Sequence, residues 1–130
     1  MEQRNEGPPS VNAKLCDAVV RLLREYTGRG PTKAKAMING DSVMILLRDT
    51  LTRGERRLAE TGKAERVLQL RHDYQVTMGD ELVAAVEDAV GRKVIAFMSQ
   101  NHIDPDLAAE IFVLEPNGPA AGADSAQRDV

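Results

Sequence analysis

The sequence predicts an α+β domain, in which two helix–strand–strand halves form a two-layer sandwich with an antiparallel four-stranded sheet and helices packed mainly on one face. Three observations predict it. Two long segments carry apolar residues at helical spacing. Each stops at a Gly-Arg pair, Gly28-Arg29 and Gly91-Arg92. Two short apolar runs, separated by a turn or a polar loop, follow each pair. The repeated order suggests an internal duplication. The plainer explanation is that any helix entering a hairpin ends in Gly and a polar residue. Amphipathic helices laid on one face of an antiparallel sheet bury both apolar surfaces in two layers.

One domain is expected over residues 10–116, between disordered tails at 1–9 and 117–130 that lack periodic apolar positions. Leu15, Ala18, Val19, Leu22, Leu23 and Tyr26 define the first helix, with Ser10 or Asn12 to cap its start and Gly28 to end it. From Thr32 the period changes to two, with Thr32, Ala34, Ala36 and Ile38 on one side and Lys33, Lys35 and Met37 on the other. Asn39-Gly40 then offers the two central residues of a tight hairpin turn, and Val43–Leu47 returns as an apolar strand.

Thr52 and Glu55 have capping-box spacing and open a helical stretch that breaks near Thr61-Gly62. A longer helix follows, with Val67, Leu70, Tyr74, Met78, Leu82, Ala85, Val86 and Ala89 on its apolar side and Gly79 as a weak point. It ends at Gly91. Strands at Val94–Met98 and Ala109–Leu114 flank the polar loop Ser99–Asp106.

Composition narrows the function. The net charge of -3 and aromatic content of 3% leave neither the basic surface nor the stacking platforms that nucleic acid requires, so no nucleic-acid partner is expected. A lone cysteine, Cys16, makes no internal disulfide, which fits a reducing, cytoplasmic setting. Residues 1–9 hold no apolar signal region, and no segment approaches the roughly 18 apolar residues of a membrane span. Strands apolar on both sides leave the second sheet face in need of a cover. A homodimer supplies one; the alternative is closure by the Thr52–Glu60 helix within one chain.

Few residues propose chemistry. His102, Asp104 and Asp106, with Glu110 nearby, could gather a divalent metal or share a proton. Asn101, Asp104-Pro105 and Asp106 are equally the residues of an ordinary hairpin connection bonded to its own backbone, and that reading is preferred, with no metal site assigned. Gly28-Arg29-Gly30-Pro31-Thr32-Lys33 is glycine-rich and basic, but it follows a helix, whereas phosphate loops follow a strand and open a helix. Arg29 and Lys33 remain candidates for an anionic ligand or partner, as do Arg48 and Asp49 in the charged segment Arg48–Arg57. Cys16 reads as a structural thiol and His72 as a surface residue. No nucleophile elbow, His-Glu-x-x-His pair or Cys-x-x-Cys occurs, so no enzyme activity and no cofactor are expected.

Three segments in order, Val20–Ala34 with its Gly28-Arg29-Gly30-Pro31, Leu47–Glu55, and Gly91–Ser99 continued by Asn101–Asp106, resemble the bacterial MpsC domain family, long a domain of unknown function. The resemblance runs from the first helix to Pro116. It implies a small soluble accessory or regulatory protein of a sodium-translocating, membrane-potential-generating system linked to inorganic-carbon supply. A membrane-protein partner follows from that, and no catalytic residue is carried over.

Overall fold

The computed structural model describes residues 10–116, so both expected tails lie outside the described residues. The order is α1 (Val11–Thr27), β1 (Lys33–Asn39), β2 (Ser42–Arg48), α2 (Arg53–Leu58), α3 (Ala64–Val90), β3 (Val94–His102) and β4 (Leu107–Leu114). Ala59–Lys63 joins α2 to α3 and breaks the helical path at Thr61 and Gly62, where Gly62 takes φ 85°. The strands form one antiparallel sheet in the order β1-β2-β4-β3. The two most apolar strands, β2 and β4, take the centre. The edges go to β1, which carries Lys33 and Lys35, and to β3, whose second half is Ser99–His102.

Both long helices use the caps that the sequence offers. The Ala13 amide donates to the Ser10 hydroxyl at the start of α1. Gly28 and Gly91 close α1 and α3 in the left-handed conformation, their amides bonding back to Arg24 and Glu87 carbonyls at 2.9 and 2.8 Å. An identical stop before each hairpin is what the repeated helix–strand–strand order requires.

One sheet face carries the core. Val43, Ile45 and Leu47 of β2 and Ala108, Phe112 and Leu114 of β4 meet Leu15, Val19, Leu22 and Leu23 of α1 and Met78, Leu82 and Val86 of α3. Phe112 stacks on Phe97 with ring centres 5.0 Å apart. These apolar side chains leave water together, the main favourable term in folding.

The other face shows a cross-strand apolar row, Met37–Met44–Ile111–Met98, flanked by Leu46, Ala109 and Val113. At one end it turns basic, where Lys33 pairs with Arg48. Helix α2 packs on α3 and not across this face, so the expected alternative of closure by the Thr52–Glu60 helix does not occur.

Three local expectations need correction. The β1–β2 turn is centred on Gly40 and Asp41, because Asn39 already pairs with Ser42. Gly40 alone has positive φ, 62°, so Gly at the first central position selects the turn. Next, β3 runs on to His102: Ser99, Gln100, Asn101 and His102 pair with Glu110, Ala109, Ala108 and Leu107, leaving only 103–106 as connection. Ladder hydrogen bonds to β4 outweigh the weak strand preference of these polar residues. Finally, α3 is continuous through Gly79, but its buried stripe is Val67, Arg71, Gln75, Met78, Leu82 and Val86, with Leu70 exposed. The first half of that stripe is polar because it faces a polar part of the interior.

The phase of α3 gives a direct test. Met78→Ala should cost about 2–5 kcal/mol of unfolding free energy, while Leu70→Ala should change it by about 0.5 kcal/mol or less. Urea titration of both variants checks the assignment, which fails if Leu70→Ala proves the more costly.

Candidate functional site

The links that leave β2 and enter β4 are held by one carboxylate. Past Arg48 the chain turns sharply at Asp49, whose φ of 60° is rare for a residue with a side chain. The turn buries Thr50 and Leu51 before Thr52 caps α2. Asp106, buried just ahead of β4, accepts hydrogen bonds from the Thr50 and Leu51 amides at 3.0 Å each and from the Thr50 hydroxyl at 3.2 Å. The Arg56 guanidinium lies 3.4 Å from the same carboxylate. The Asp49 amide donates to the Asp106 carbonyl at 3.1 Å. Arg29 Nε donates to the Asp49 carbonyl at 3.2 Å, and the Thr32 hydroxyl donates to the Asp49 carboxylate.

Arg29, Asp49 and Asp106 are therefore brought together as a latch between the α1–β1, β2–α2 and β3–β4 connections. Asp106 bonds across to the β2–α2 link and not to its own turn. The other predicted residues lie apart. Lys33 and Arg48 are exposed at the basic end of the open sheet face, and Asp104 is exposed in the connection. His102 is exposed, with Nδ1 2.8 Å from the Pro105 carbonyl oxygen. His102, Asp104 and Asp106 thus do not converge, and among the described residues no group of three or more His, Cys, Asp or Glu could hold a metal ion. Half-buried Asn101 points elsewhere, to the groove between α3 and β3.

Beneath that groove lies a polar layer that the sequence reading did not assemble, although it named Glu55 as a capping residue and Glu110 beside the His102 cluster. Arg71 of α3 is buried and donates to Glu55 Oε1 at 3.1 Å. Glu55 also closes the α2 capping box, accepting from the Thr52 amide at 2.8 Å while the Thr52 hydroxyl accepts from the Glu55 amide. One carboxylate thus both starts α2 and neutralises a buried guanidinium on α3. Beside them, Glu110 is 1% exposed in the centre of the sheet, between Ile45 on β2 and Ser99 on β3. Burial pushes its carboxyl up to about 7, and the Ser99 hydroxyl and the Arg71 guanidinium offset part of that rise. Ser99 Oγ, Asn101 Oδ1 and Glu110 Oε1 are all buried without a hydrogen-bond partner.

The signal for this layer was a glutamate in the otherwise apolar strand Leu107–Leu114, matched by Arg71 and Gln75 at four-residue steps after Val67. Cys16 is half-buried on α1, and burial is the main cause that raises its thiol pKa. Exposed His72 sits on the rim of the groove.

The family model described as Na+-translocating membrane potential-generating system (MpsC) matches residues 9–116. No curated protein and no solved structure matches the chain.

The latch and the buried carboxyl make separable predictions. Asp106→Ala strands two buried amides and should cost on the order of 3 kcal/mol. Chemical denaturation reads that loss, and added divalent cations should not alter the natural chain's midpoint. For Glu110, the folded value near 7 exceeds the ordinary 4.5, so the folded chain binds the proton more tightly. Its contribution to stability is fully present below about pH 4.5 and is lost as pH rises through 7. Glu110→Gln should exceed the natural chain at pH 8.5 by on the order of 3 kcal/mol and match it near pH 4.5. Paired melting curves across that range would refute the assignment if the gap did not change with pH.

Proposed function

The chain belongs to the MpsC family, and from that premise we propose that it is a non-enzymatic accessory or regulatory protein of a sodium-translocating, membrane-potential-generating system. In this reading it acts as a homodimer that docks a membrane-protein partner. No helix of the described residues is long and apolar enough to cross a membrane, so any membrane link runs through that partner.

The observation that carries this reading is the open sheet face. Met37, Met44, Leu46, Ala109, Ile111 and Val113 stand on it at half burial, Met98 is exposed, and no helix of the described residues packs over them. A contiguous apolar face of this kind marks an interaction surface. A second copy of the same face satisfies it by two-fold symmetry, each apolar row meeting its equivalent. That arrangement leaves exposed Arg53 at the start of α2, and Arg57, whose exposed pairing with Glu60 is loose at 3.8 Å, facing solvent for the partner. Arginine suits such a role, since it supplies directional donors at interfaces.

Light scattering on the natural chain should give twice the mass of one chain. Met44→Lys, which sets a charge in the centre of the apolar row, should halve it while leaving the circular dichroism spectrum unchanged. One chain mass for both proteins would remove the dimer. Gentle-detergent co-purification that recovers this chain alone would remove the membrane-protein partner.

A further inference from the structure

The strand register divides the open sheet face into cross-strand rows. The first is Lys33–Arg48–Leu107–His102, and the last is Asn39–Ser42–Val113–Ala96. The apolar row Met37–Met44–Ile111–Met98 lies between them, with Lys35 and Leu46 in the row on its basic side. Lys33, Lys35 and Arg48 are exposed, and none has an ion-pair partner among the described residues. No row contains Asp or Glu. Asp49, just past Arg48, accepts from the Thr32 hydroxyl, and Asp104 lies beyond the strand end in the β3–β4 connection.

Carboxylates stand at the opposite end. The alternation along β4 brings exposed Glu115 to the open side next after Val113. The β1–β2 turn holds Asp41 close by, since the Leu114 amide donates to the Asp41 carbonyl at 2.7 Å. The Asp41 side chain stays 48% exposed although Arg92 pairs with it. Lys93, the other cation there, precedes β3 and so lies on the far side of the sheet from β1 and β2. Growth of the sheet through β1 is closed off, because the Asn12 side-chain amide donates to the Ala36 carbonyl at 3.2 Å and α1 thereby occupies that edge.

Sheets packed face to face in the aligned class hold their strands within about 30° of parallel or antiparallel. A two-fold axis in the interface therefore runs close to the strands or close to the rows. An axis along the strands superposes like ends, and gathers Lys33, Lys35 and Arg48 of both copies with no carboxylate on either face between them. An axis along the rows reverses one copy end for end. Each strand then lies over its equivalent, the Lys35–Leu46 row lies over the Asn39–Ser42 row, and the Lys33–Arg48 end lies over the end that holds Asp41 and Glu115. Like charges brought together oppose association, whereas opposite charges favour it and fix the register. We propose that two copies join about an axis along the Met37–Met44–Ile111–Met98 row, with Lys33 and Arg48 of each held against Asp41 and Glu115 of the other. This orientation rests on the homodimer reading and decides which of its two symmetric forms is built.

The test combines light scattering over a dilution series with cross-linking by diamide in full chains that carry Cys16→Ser. Arg48→Glu should weaken the dimer about tenfold, as should Glu115→Lys, and an equimolar mixture of the two should recover most of the loss. Met44→Cys, on the axis, should cross-link to its own copy. Leu46→Cys should cross-link to Ser42→Cys in a mixture, and neither should cross-link to itself. An unchanged or tighter dimer with Arg48→Glu, self-cross-linking of Leu46→Cys, or no cross-link in the mixture would overturn the orientation and leave the homodimer standing. A dimeric mass with no Met44→Cys cross-link would move the interface off this face and overturn it too. One chain mass for the natural protein would remove the homodimer and its orientation together.

Discussion

Pairing of β2 with β4 is the constraint on which the other features depend. Each half of the chain is a helix and a hairpin, too small to close a core by itself. The halves become one interior where α1 meets α3 and where β2 and β4 lie side by side, Val43 against Phe112, Ile45 against Glu110 and Leu47 against Ala108. A slip of one residue would turn every one of these side chains to the wrong face. The end of this ladder is where Asp106 grips the Thr50 and Leu51 amides, so the latch fixes the register from outside the sheet while apolar alternation fixes it from within.

That register leaves Glu110 no escape. A glutamate on the helix side of a central strand must be buried, and a buried charge needs compensation. Compensation is partial here. Arg71 is near, but its ion pair is with Glu55, which is itself occupied in capping α2. The Glu55–Arg71 pair joins α2 to α3 across the bend at Thr61 and Gly62, replacing the packing that a continuous helix would have had. Breaking such a buried pair at one partner costs more than the pair contributes, because the other charge is left stranded. The polar layer thus specifies how α2, α3 and the sheet end meet, at a cost in stability that falls on Glu110.

Much of the fold was legible because periodicity reports burial directly. The capping pair Thr52 and Glu55 and the terminators Gly28 and Gly91 each encode local geometry, and the structure uses them as read, whereas the alternation in Ala34–Ile38 holds only in part, since edge strand β1 buries Ala36 and leaves Ile38 exposed. What was not legible depends on pairing between distant segments. Ser99–His102 reads as loop by composition and is strand because β4 offers it a ladder. Leu70 reads as core and is exposed, since the interior at that level is polar and takes Arg71 and Gln75 instead. Among the candidate residues, Asp106 was singled out for its chemistry, but its partners lie more than 50 positions back along the chain, at Thr50 and Leu51. No local motif announces a contact of that span.

The two faces of the sheet are consequently unequal in kind. The open face is apolar along Met37–Met44–Ile111–Met98 and basic at the Lys33–Arg48 end, and its side chains alternate with those of the core. Its side chains point away from the interior, so their apolar character is not what closes the core. The helix face differs, since its polar atoms sit inside the fold, where each unmet acceptor lowers stability. Apolar surface retained outside and unmet polarity retained inside both run against the interest of an isolated domain.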